Sequence, residues 1–98
     1  MIKELHTKLN MTRSEIEDFV NSLDVTVVIP DGLDDGFVGV AAEEEPPRAV
    51  YSIEKCIAQL AKDMSHEEAS EYFWYNVAGA GGEGYPLFIS TPDDGSLY

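Results

Sequence analysis

Gly79, Gly81 and Gly84, in the stretch NVAGAGGEGYP, fall in the spacing G-x-G-x-x-G. In a dinucleotide-binding loop this spacing lets backbone amides approach a pyrophosphate, and a helix N-terminus just beyond holds its charge. That chemistry needs a strand before the glycines and a helix after them. Here the order reads helix, glycines, strand, so a phosphate would meet the negative end of a helix dipole beside Glu83. No Lys or Arg follows Lys62 to offset the repulsion. The glycines therefore read as a helix stop, with Gly79 or Gly81 as the left-handed residue after the last turn. No nucleotide cofactor is expected.

Other residues invite the same test. DGLDDG, Asp31 to Gly36, resembles the start of a calcium loop, but Leu33 and Ala42 stand where that loop needs oxygen ligands. A turn with solvated acids is the expectation, and no metal site is assigned. The single cysteine, Cys56, rules out an internal disulfide and a CxxC pair. It falls within an apolar helical stripe and reads as a buried, inert thiol. His6 and His66 lie in a short first helix and in a capping turn, with no nucleophile placed beside them. No catalytic residue is assigned. Asn76 is the odd residue, an amide on the expected apolar face of a helix, which must find partners if buried. With Tyr51 and Glu83 it forms a candidate pocket.

Charge is the strongest bulk signal. Six basic residues face 19 acidic ones, a net charge of −13. Ten carboxylates and no Lys or Arg lie between Ser14 and Pro47, and seven carboxylates and no Lys or Arg between Asp63 and Tyr98. Such a surface repels nucleic-acid phosphates and anionic lipid and attracts basic protein surfaces. The candidate binding residues are Asp31, Asp34 and Asp35 in one turn, Glu43, Glu44 and Glu45 in another, and the aromatic pair Trp74 and Tyr75. No apolar run approaches the roughly 20 residues of a membrane span, and a cytoplasmic protein is expected.

These residues must be positioned by one small domain spanning 1–98, with N-terminal helices over 1–23, a sheet and two helices over 25–90, and an acidic tail over 91–98. Ile2, Leu5 and Leu9 fit a short helix. Thr12 and Glu15 have capping-box spacing ahead of an apolar stripe of Ile16, Phe19, Val20 and Leu23. VTVVIP, Val25 to Pro30, FVGVAA, Phe37 to Ala42, RAVYS, Arg48 to Ser52, and PLFIS, Pro86 to Ser90, read as strands, with Gly39 at a bulge or a close backbone approach. Ser52 caps a helix carrying Ile53, Cys56, Ile57 and Leu60. Ser65 and Glu68 form a second capping box, and the helix they open buries Ala69, Tyr72, Phe73 and Asn76. Ile53, Ile57, Leu60, Phe73, Val27, Ile29 and Val40 are the expected core. The fold class is α+β, a three- to four-stranded, mostly antiparallel sheet with helices packed on one face.

From Asp31 to Phe88 the chain resembles a group of small proteins of bacterial, plasmid and tailed-phage genomes. The resemblance rests on DGLDDGFVGVA, VYSIEKCI and above all the EEA-x-EY…NV-x-GA…GE portion, Glu67 to Glu83. No activity is assigned to that group, so the resemblance implies a mobile-element context and an α+β fold, and no chemistry.

Three functions are compatible with these residues. The first is a non-enzymatic module, monomeric or a small homo-oligomer, that binds a protein with a basic surface and modulates a host protein. The second is a nucleic-acid mimic that occupies the basic groove of a defence protein, which needs carboxylates arrayed like phosphates. The third is a small-molecule binder or enzyme centred on Tyr51, Asn76 and Glu83, which needs those three to meet in a concave site.

Overall fold

The fold is described from a computed structural model over residues 11–91. The expected first helix with His6 and the tail beyond Thr91 lie outside the described residues.

The first described helix, α1 (Arg13–Ser22), starts where its capping box predicts. Thr12 Oγ1 accepts from the Glu15 amide at 3.2 Å, and Glu15 Oε1 accepts from the Thr12 amide at 2.9 Å. Ile16 and Val20 are buried. Phe19 and Leu23, expected in the same buried stripe, are exposed at its edge, where Phe19 meets the Phe37 ring edge-on at 6.1 Å. Asp24 adopts φ 60° and turns the chain out of the helix.

Val25 to Pro30 is not a strand. Val25, Val27 and Ile29 are half-buried and pack on the core while Thr26 and Val28 face outward, so the alternation of a strand is present without its ladder. β-branched residues favour the extended backbone, but only a neighbouring strand makes it part of a sheet. The acidic turn that follows closes in a 3-10 helix (Asp34–Gly36).

The sheet has three strands in the order β1 (Phe37–Ala41), β2 (Arg48–Ser52), β3 (Leu87–Ile89). β1 and β2 pair antiparallel, Val40 opposite Ala49, and the register shifts between Phe37 and Gly39, which is the expected bulge. β2 and β3 pair parallel, Tyr51 opposite Phe88. The sheet is therefore mixed, which corrects the mostly antiparallel expectation. The physical reason is the connection: the chain passes through helices α2 (Ile53–Leu60) and α3 (His66–Tyr72) before it returns, and a crossover of that kind brings a strand back in the same direction.

Both helices start on their predicted caps. Ser52 Oγ accepts from the Lys55 amide at 3.1 Å, and Ser65 and Glu68 close a reciprocal box at 3.0 Å in each direction. α3 runs directly into a π-helical turn, Phe73–Val77, closed by the Ala78 amide donating to the Phe73 carbonyl at 2.8 Å. The core gathers Ile16, Leu33, Phe37, Ala49, Tyr51, Cys56, Ile57, Ala69, Phe73 and Val77. Of the expected core, Ile57 and Phe73 are fully inside, whereas Ile53, Leu60, Val27, Ile29 and Val40 are half-buried around its margin. Among the described residues, no helix is long and apolar enough to cross a membrane.

Candidate functional site

The candidate pocket of Tyr51, Asn76 and Glu83 does not form. Tyr51 is fully buried in β2, while Asn76 and Glu83 are exposed. The π turn is the cause. An α-helix advances about 3.6 residues per turn, and the i→i+5 bonding of a π turn takes more. The buried stripe accordingly steps by four residues, through Ala69, Phe73 and Val77, and Asn76 rotates outward. Tyr72, expected inside, ends α3 ahead of the π turn and is 45% exposed. In the glycine loop, Gly81, Gly82 and Gly84 have positive φ, whereas Gly79 does not. Gly79 is needed for room, since a Cβ there would lie 3.1 Å from the Trp74 and Tyr75 carbonyl oxygens.

Two acids of the first turn pair with cations from elsewhere in the chain, Asp31 while staying almost fully exposed. Arg13 donates from Nη1 to Asp31 at 2.8 Å, from Nη2 to the Ile29 carbonyl at 3.1 Å and from Nε to Glu17 at 3.0 Å. Asp35 accepts from Lys62 Nζ at 3.0 Å, and its amide donates to Gln59 Oε1 at 2.9 Å. Asp31 and Asp35 thus tie the turn to α1 and α2. Asp34, between them in sequence, has its Oδ1 buried and unpaired. Burial lifts its carboxyl above the ordinary 3.8, Arg13 opposes the rise, and Asp35, Asp31 and Glu17 add to it. Among the described residues, the Tyr51 hydroxyl is the other buried side-chain group without a hydrogen-bond partner, and its pKa is pushed upward by burial first and by the charge of Asp34 second. Cys56 stands near this centre with its thiol pushed up to about 12 by burial, which leaves it a poor nucleophile at neutral pH. Among the described residues, no group of three or more His, Cys, Asp or Glu is arranged to hold a metal ion.

The second acidic turn is open. Glu43, Glu44 and Glu45 are all exposed, and Glu44 reaches Arg48 at only 3.7 Å.

The aromatic pair is the most exposed apolar feature. Tyr75 is 81% exposed and Trp74 is 51% exposed. Trp74 stands edge-on to Phe73, ring centroids 5.1 Å apart, and walls a groove of about 410 Å³ lined also by Ile53, Ile57, Ala58, Lys55 and His66. Sequence reasoning missed Glu54, which lines the same groove. It accepts from the Ser90 hydroxyl and, at 2.7 Å, from the Thr91 amide, and these bonds hold its carboxyl below the ordinary range, Ser90 first. Its partners lie 36 and 37 residues away, and no local pattern signals such a pairing.

Comparison with known proteins finds no matching family model, no matching curated protein and no matching solved structure.

Proposed function

We propose that this protein is a non-enzymatic binding module whose partner is a protein with a basic surface. One observation carries the reading: Tyr72, Trp74 and Tyr75 stand exposed along one short helical segment, in a stretch, Asp63 to Thr91, that contains carboxylates and no Lys or Arg. Exposed aromatics in a row cost solvation and are what protein interfaces draw on for affinity. The surrounding charge speeds encounter with a cationic partner and is screened beyond about 8–10 Å at physiological salt. The open turn of Glu43, Glu44 and Glu45 adds to that field.

A nucleic-acid mimic draws less support, because Asp31 and Asp35 pair with Arg13 and Lys62 and Asp34 has a buried carboxylate oxygen. The pocket-centred reading loses its premise with the separation of Tyr51 from Asn76 and Glu83. The resemblance over Glu67 to Glu83 suggests a mobile-element setting, with a host protein in the cytoplasm as the target and the module acting as a monomer or small homo-oligomer. The same reading takes the helices to lie on one face of the sheet, in keeping with the exposure of Val38 and Ile89 on the strands.

The test is affinity capture at low and high salt with the wild type and with a Trp74→Ala/Tyr75→Ala variant. The expected result is one basic protein retained by the wild type, more weakly at high salt, and lost from the variant. Equal retention by the variant refutes the aromatic site.

A further inference from the structure

We infer that the outward ridge Glu67–Glu71–Tyr75, flanked by Tyr72 and Trp74, receives arginine side chains of the partner. The inference rests on the proposed function and names the chemistry of its partner. Glu67, Glu71 and Tyr75 follow at i, i+4 and i+8, opposite the buried stripe of Ala69, Phe73 and Val77, and all three are exposed. The ridge therefore carries two carboxylates followed by an aromatic ring, in a stretch, Asp63 to Thr91, with no Lys or Arg, while Lys55 and His66 line the groove on the Trp74 side. A guanidinium satisfies both at once. Its plane stacks on an aromatic face, its N–H fork pairs with a carboxylate, and it sheds water more readily than an ammonium. A lysine answers only the charge. Glu68, the remaining acid of the first turn, is engaged by the Ser65 amide in the cap, so Glu67 and Glu71 are the carboxylates left to pair.

Trp74 is the only tryptophan and reports on the site directly. The experiment titrates the full chain, in low salt, with a capped peptide of alternating Gly and Arg, its Lys counterpart and a neutral Gly/Gln control, following Trp74 emission. The expected result is saturable quenching by the Arg peptide, with affinity about tenfold above the Lys peptide. Tyr75→Ala and Glu71→Gln each weaken binding and erase most of the Arg preference. Replacing Glu43, Glu44 and Glu45 together by Gln lowers affinity for both peptides alike and leaves the preference intact. Equal affinity for Arg and Lys overturns the guanidinium inference and leaves the basic-partner reading standing. Binding by neither peptide overturns the inference. Binding that survives both ridge variants but fails with the turn variant moves the site to the turn and overturns it as well. Both ridge substitutions are at exposed positions, and a thermal melt confirms that the variants remain folded.

Discussion

Replacing Gly36 by alanine places a methyl group against Cys56, and the structure sets the size of the effect. Gly36 is buried in the 3-10 helix, and its φ lies outside the left-handed region, so alanine is acceptable to the backbone. The obstacle is space. A Cβ at Gly36 would stand 2.6 Å from Cys56 Sγ, 3.3 Å from the Cys56 amide nitrogen and 3.4 Å from the Ser52 carbonyl oxygen. The first distance is far inside van der Waals contact, and Cys56 sits on α2 with little freedom to retreat. Inserting a methyl into such packing costs about 1–3 kcal/mol, offset by about 0.4–1 kcal/mol from the smaller entropy of the unfolded chain. A net loss of about 1–2 kcal/mol is expected. Cys56→Ala alone removes one heavy atom from the core and should cost about 1 kcal/mol, by analogy with other single-group deletions. In the double variant the new methyl occupies space that the sulfur vacated, so the losses should not add. Urea unfolding of the four proteins at pH 7 measures this, and a coupling energy of at least about 1 kcal/mol in the favourable direction is expected. Additive losses within about 0.3 kcal/mol would refute the close approach of Gly36 to Cys56.

Two further predictions concern the unpaired buried groups. Tyr51→Phe removes a hydroxyl that has no partner while keeping its ring against Phe37 and Phe88, so it should stabilise the protein by about 1 kcal/mol in urea unfolding. A loss of stability of that size would show that the hydroxyl is bonded. The Asp34 carboxyl has its folded pKa raised above 3.8, so the folded state holds this proton more tightly than the unfolded chain does. Its contribution therefore favours folding at low pH and is lost as pH rises above 3.8 through the folded value. Relative to Asp34→Asn, the wild type should lose stability as pH rises from about 3.5 to 6. A difference that stays flat over that range contradicts the burial of this carboxylate.

The sequence by itself determined the features whose partners are a few residues apart. The capping boxes at Thr12 with Glu15 and Ser65 with Glu68, the Ser52 cap, the bulge at Gly39, and the reversal of the chain after Val77 all rest on local backbone geometry, and each was legible for that reason. The exposure of Trp74 and Tyr75 was legible as well, because they flank an apolar stripe. Where the tertiary structure decided, the competing terms were not local. Val25 to Pro30 has the composition of a strand, yet its side chains pack on the core while its backbone joins no ladder. β3 pairs parallel because two helices intervene. Asp31 and Asp35, which read as unpaired acids, are held by Arg13 on α1 and by Lys62 in the turn after α2. The π turn at Phe73–Val77 shifts the helix register so that Val77 is buried and Asn76 faces outward. Helical periodicity, applied with one repeat throughout, assigns Asn76 to the wrong face. The choice between an α and a π turn rests on which side chains fit against α2 and β3, and that is a property of the packed interior.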